Sequence, residues 1–139
     1  MTRALVFAGA MSLTACADPV ASCAPERSVL GTWRYLGGRD APDIATLAGS
    51  MEISSESCQG FQGRLDILQS DAEGTTTRLA GPVAGRLTSD GGIRFDAWLA
   101  GIARQHIAVL GPGLADGSWI GVGGPAVTET GAFRVTREE

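Results

Sequence analysis

Apolar and polar residues alternate with a period of two along much of this chain. Phe61, Gly63, Leu65 and Ile67 share one parity, and Gln62, Arg64 and Asp66 share the other. Ile93, Phe95, Ala97 and Leu99 alternate with Arg94 and Asp96, and Phe133 and Val135 with Arg134 and Thr136. A period of two places alternate side chains on opposite faces of a strand, so each run predicts a strand with one wet face. Between the runs stand turn signals: Gly37-Gly38, Gln59-Gly60, Glu73-Gly74, Asp90-Gly91-Gly92, Gly111-Pro112-Gly113, Asp116-Gly117 and Gly123-Gly124-Pro125. Their spacing of roughly eight to twelve residues belongs to all-β sandwiches and barrels.

About eight strands follow: Val29 to Tyr35, Ser50 to Ser54, Phe61 to Gln69, Thr75 to Thr88, Ile93 to Leu99, Arg104 to Leu110, Gly117 to Val122 and Gly131 to Arg137. The fourth is expected to bend at Gly81-Pro82, because proline cannot donate to a ladder. Short links make an antiparallel meander, and closing it into a small up-and-down barrel removes both exposed edges. The one long link, Leu36 to Gly49, has room for a turn of helix after Asp43. The expected interior set is Met51, Ile53, Phe61, Leu65, Ile67, Leu87, Ile93, Phe95, Leu99, Ile107, Val109, Ile120, Phe133 and Val135. That set is bulky enough to fill an eight-stranded barrel, whose interior is just wide enough for side chains or one small ligand. Trp98 and Trp119 fall on the parity opposite to Leu99 and Ile120. They are expected either to form an exposed aromatic patch or to include one ring turned inward by a bulge.

The first residues follow a different pattern. Arg3 gives a positive start, Ala4 to Ser12 are apolar or small, and Leu13-Thr14-Ala15-Cys16 follows. This resembles the lipobox of bacterial lipoprotein signal peptides, which implies cleavage before Cys16 and lipidation of that cysteine. The organisation expected from it is a signal peptide over 1–15, a lipidated tether over 16–27 containing Pro19 and Pro25, and a single domain over 28–139. Several acyl chains on Cys16 would hold the protein stably on a membrane. Ala17 after the cysteine is similar to the sorting pattern for the outer membrane, so the expected location is the bacterial cell envelope.

Two cysteines remain, Cys23 and Cys58. In an oxidising compartment an even pair favours an internal disulfide, worth about 4 kcal/mol on the chain-entropy model. Two free thiols or an intermolecular bridge are the other readings, and no C-x-x-C points to redox chemistry.

Charge narrows the partners. The chain has 11 basic and 15 acidic side chains for a net charge of -4, and losing the signal removes Arg3 and no acid. An acidic chain without a basic cluster is a poor fit to nucleic acid, whose binding depends on neutralising phosphates.

Gly31-Thr32-Trp33 on the first strand resembles the Gly-x-Trp signature of the calycin barrels, which include lipocalins and avidins. The resemblance implies that Trp33 closes one barrel end, with Arg137 near the end of the last strand packed across it as a cation–π lid. The plain alternative makes Trp33 an ordinary core aromatic. For a ligand inside such a barrel, the expected contacts are Trp33, Tyr35 and Phe95.

Catalytic chemistry has little support. His106 is the single histidine, so with the cysteines paired there is no zinc or copper set, and neither metal nor cofactor is expected. Its parity, opposite to Ile107 and Val109, reads as a surface position. No Gly-x-Ser-x-Gly elbow supports a Ser-His-Asp triad. Asp66, Asp96 and Glu52 are expected on the wet face, and Gly121-Val122-Gly123-Gly124 reads as a hairpin turn without the lysine and spacing of a phosphate loop. The sequence therefore points to a non-catalytic, membrane-anchored binding barrel for a partner protein or a small apolar ligand. The alternative is an inhibitor of a periplasmic protease or lysozyme, a role served by short one-disulfide barrels such as the serralysin inhibitors. A hydrolytic enzyme ranks last.

Overall fold

The computed structural model describes residues 27–139. The expected signal peptide, Cys16, Cys23 and the expected tether up to residue 26 lie outside the described residues. Eight strands run β1 Gly31–Ala41, β2 Ala45–Ser57, β3 Gly60–Asp71, β4 Thr76–Leu87, β5 Gly92–Leu99, β6 Ile102–Gly111, β7 Leu114–Gly123 and β8 Ala126–Arg137. Each pairs antiparallel with its sequence neighbour, and β8 returns to β1 from Trp33↔Arg137 to Ala41↔Thr130. The result is a closed up-and-down barrel, all-β and without helix among the described residues.

The link over 36–49 departs from expectation. It holds no helix, because β1 and β2 pair along it from Gly31↔Ile53 to Arg39↔Ala45. Gly37-Gly38 is not a turn either. Gly37 has inward parity, and a Cβ there would lie 2.7 Å from the Ala132 carbonyl oxygen and 3.3 Å from Cε1 of Tyr35. Its bare backbone gives the tyrosine ring and β8 their room. In β4 the strand runs unbroken through Gly81-Pro82, and the effect of the proline shows only in the pairing at one seam. β4 pairs with β3 from Phe61↔Gly85 to Ser70↔Thr76, but with β5 only from Val83 to Leu87, and Pro82 stands where the β5 ladder stops.

Parity in β6 and β7 is the reverse of the sequence reading. Ile107, Val109 and Ile120 face outward and are exposed, while Arg104, His106, Ala108, Leu110, Ala115 and Trp119 are buried. Hairpin length decides this. The two-residue turn Ala100-Gly101 pairs Leu99 with Ile102, and because Leu99 points inward, so do positions 104, 106, 108 and 110. Pro112-Gly113 then pairs Gly111 with Leu114 and carries the inward parity to Ala115, Gly117 and Trp119. The register is therefore fixed by turn geometry even though it puts Arg104 and His106 on the inner face of β6 and Ile107 and Val109 on the outer one.

Trp98 is 45% exposed and Trp119 is 1% exposed, so the two do not form an outer aromatic patch. Trp119 lies against Gly131, where a Cβ would come within 2.6 Å of the indole. The other interior expectations hold: Met51, Ile53, Phe61, Leu65, Ile67, Ile93, Phe95, Leu99, Phe133 and Val135 form one core, with Leu87 packed on its margin.

Candidate functional site

The barrel has two unlike ends. The N-terminal end gathers the start of β1, the chain terminus after β8, and the β2–β3, β4–β5 and β6–β7 turns. The far end carries the β1–β2, β3–β4, β5–β6 and β7–β8 hairpins.

The interior between them is filled. Phe95 stacks on the His106 ring at 4.2 Å, Phe133 meets that ring edge-on at 4.8 Å, and Tyr35 stacks on Phe133 at 5.7 Å. The space among Trp33, Met51, Ile93 and Val135 admits no water-sized volume. Tyr35 and Phe95, expected as ligand contacts, are sealed in this packing, and neither they nor Trp33 line an open cleft.

His106 is buried rather than on the surface. Its Nδ1 lies 2.9 Å from the Arg104 carbonyl oxygen and its Nε2 lies 3.0 Å from the Tyr35 hydroxyl. A carbonyl only accepts, so the network assigns the proton to Nδ1, and Nε2 accepts from Tyr35. Burial pushes the imidazole pKa down to about 3 despite its backbone hydrogen bond, and the same desolvation pushes the Tyr35 phenol up. Both groups are neutral at physiological pH.

The unfolded chain therefore binds a proton on His106 below pH about 6.5 that the folded chain refuses until about pH 3. Stability is complete above that window and falls as pH falls through it, by up to about 1.4 kcal/mol per pH unit. Between pH 7 and 4.5, urea unfolding is expected to show wild type losing roughly 2 to 3 kcal/mol more than His106→Gln, which keeps an acceptor for Tyr35. Equal pH slopes for the two proteins would contradict this account.

At the far end a polar plug closes the barrel. Glu129 receives Nη1 of Arg39 at 3.1 Å and Nε of Arg104 at 3.2 Å, while Nη2 of Arg104 donates to Gln69 at 2.9 Å. The Arg104 guanidinium lies 4.5 Å above the Trp119 ring. Arg104 Nη1 and Trp119 Nε1 are buried without a hydrogen-bond partner among the described residues. No sequence motif announces this plug, since its members come from β1, β3, β6 and β8.

At the N-terminal end the segment before β1 forms a clasp. Ser28 Oγ and the Val29 amide both donate to the Glu56 carboxylate, at 2.6 and 2.8 Å. Trp33 Nε1 donates to the Val29 carbonyl at 2.9 Å, and Arg27 Nη1 donates to the Leu110 carbonyl at 2.9 Å. Arg137 donates to the Ser28 carbonyl and sits 4.7 Å above the Trp33 ring. The structure thus brings Trp33 and Arg137 together under a short N-terminal strap.

Beside the clasp opens a cleft of about 590 Å³. Val29, Phe61, Leu87 and Leu110 supply its apolar surface, and Arg27, Glu56, Thr88 and Ser89 its polar one. Cys58 in the β2–β3 turn also lines it. A volume of this size with apolar walls and a few polar groups suits a small organic ligand. Outside the plug and the clasp, the carboxylates singled out in the sequence do not converge. Glu52 is exposed on the outer wall, Asp96 is half-buried, and Asp66 pairs with Arg78, which holds its carboxyl below the usual range. Among the described residues no group of three or more His, Cys, Asp and Glu is placed to hold a metal.

No family model and no curated protein matches this sequence. Among solved structures, EF1p2_mFAP2b bound to DFHBI superposes with a TM-score of 0.60 at 11% identity, over 78% of this chain and 93% of that one. A de novo designed fluorescence-activating β-barrel superposes with a TM-score of 0.56 at 14% identity, again over 78% of this chain and 93% of the other. The likeness is one of fold, the closed eight-stranded barrel.

Proposed function

We propose that this chain is a lipid-anchored lipoprotein of the bacterial envelope, carried on the outer membrane, with a non-catalytic role: it binds a small apolar ligand in the cleft at the N-terminal end of its barrel. The observation that carries this reading is the contrast between a packed interior and a cleft of about 590 Å³ with Phe61, Leu87 and Leu110 on its walls. Ligand binding by the barrel EF1p2_mFAP2b, described with DFHBI, is compatible with it. The anchor rests on Leu13-Thr14-Ala15-Cys16. A Cys23–Cys58 bridge belongs to the same reading. It is supported by the place of Cys58, which lines the cleft together with Arg27, four residues after Cys23.

Two measurements test this. Globomycin or Cys16→Ala should leave an unlipidated precursor, and a normally cleaved but unmodified wild-type N-terminus would remove the anchor. Titration with 1-anilinonaphthalene-8-sulfonate should show one saturable site whose affinity drops at least tenfold in Leu87→Arg. A probe that does not saturate, or that ignores Leu87→Arg, would remove the cleft as the binding site.

A further inference from the structure

Resting on that reading, we infer that the cleft faces the bilayer and takes an acyl chain from a membrane lipid. The first argument is distance. The clasp fixes where the chain leaves the barrel, because Arg27, Ser28 and Val29 are bonded to Leu110, Arg137 and Glu56 at the N-terminal end. From Arg27 back to Cys16 the chain reaches about 40 Å at full extension, and from a bridged Cys23 only about 25 Å. The barrel is about 30 Å tall, taking twelve-residue strands such as β3 tilted by roughly 40°. A tether held at Cys23 is therefore too short for the barrel to invert and present its far end to the membrane. The cleft opens beside the tether, and its mouth stays within a lipid length of the surface.

The second argument is chemistry. Phe61, Leu87 and Leu110 give the cleft an apolar wall, while Arg27, Glu56, Thr88 and Ser89 give it a cation, a carboxylate and hydroxyl groups. Such a site suits an amphiphile, with the chain against the first set and a zwitterionic or ester head group near the second. A water-soluble apolar ligand would have no use for that division. The bilayer is the nearest reservoir of acyl chains, and release into it requires no passage through water.

The test uses the full lipidated chain in vesicles of phosphatidylethanolamine and phosphatidylglycerol containing a few mole per cent of a lipid with a diazirine on its acyl chain. Irradiation and peptide mapping should place adducts on Phe61, Leu87 and Leu110. Leu87→Arg, floating with the vesicles and melting in a single transition, should carry at least tenfold fewer. Adducts on the far-end hairpins, adducts spread over the outer wall, or undiminished labelling of Leu87→Arg would overturn the inference. A second arm presents diazirine palmitate in solution to Cys16→Ala. Labelling of the cleft there, without bilayer labelling of the lipidated chain, would show that the chain's own anchor fills the cleft and would overturn the bilayer source. Failure of wild type to float removes the anchor, whereas an unlabelled cleft in Cys16→Ala removes the acyl-chain ligand even if 1-anilinonaphthalene-8-sulfonate still binds.

Discussion

Glu129→Ala is expected to destabilise the protein by about 3 to 5 kcal/mol, the range for removing one partner of a buried ion pair. The loss is large because Glu129 is, among the described residues, the carboxylate bonded to Arg104, whose side chain is 3% exposed. Without it the guanidinium keeps Gln69 and the face of Trp119, and neither neutralises a buried charge. Glu129→Gln should be milder, since an amide oxygen still accepts from Arg39 or Arg104. Removing the charge from both sides, with Arg104→Met and Glu129→Leu together, should recover part of the loss, because apolar packing often replaces a buried pair without penalty. Urea unfolding at pH 7 measures all four proteins. A Glu129→Ala loss below about 1 kcal/mol would mean that the plug is hydrated and behaves as a surface pair.

At the opposite end, Trp33→Ala should cost about 3 to 5 kcal/mol, as for deletion of any large buried aromatic. Trp33 is 2% exposed, holds the Val29 carbonyl through its indole N–H, and supports the Arg137 guanidinium. Arg137→Ala should cost on the order of 1 kcal/mol, because that side chain is partly in water. The two changes are expected to be non-additive in a double-mutant cycle, since residues in contact couple. Additive losses would mean that the stacking contributes nothing and that Trp33 acts through packing alone.

Strand number, order and closure were legible because alternation in β3, β5 and β8 is clean and short links force an antiparallel meander. The same rule misled in β6, where Ile107 and Val109 outweigh Arg104 and His106 in hydrophobicity. There the wet face is the more apolar one, and the tight Ala100-Gly101 turn settles the register. Ala100 adopts φ 51°, a left-handed conformation usual for glycine or asparagine, so its residue type did not signal the turn. Gly37-Gly38 misled for another reason. Glycine marks turns, but it also marks places where a ring or strand comes close, and sequence alone does not distinguish the two. Of the candidate site, the Trp33–Arg137 pairing could be anticipated from strand parity and a family resemblance. The cleft could not, because Glu56, Phe61, Leu87 and Leu110 meet only once three separate turns converge with the strap. The buried ion plug likewise required knowing which face of β6 points inward.

The clasp also determines how the barrel would bear mechanical load. Under the proposed anchor, force from a membrane would enter at Arg27, a few residues before β1. Pulled there, the hydrogen bonds from Val29 to Glu56 and from Arg27 to Leu110 are loaded before any ladder bond. Once they yield, β1 is peeled from β2 and β8 one pair at a time, the geometry in which a sheet is weakest. A covalent link from Cys23 to Cys58 would send the same force into the β2–β3 turn and leave β1 slack. A protein tugged between a membrane and a bound partner would then resist through its backbone and disulfide, and the strap over Trp33 would stay shut.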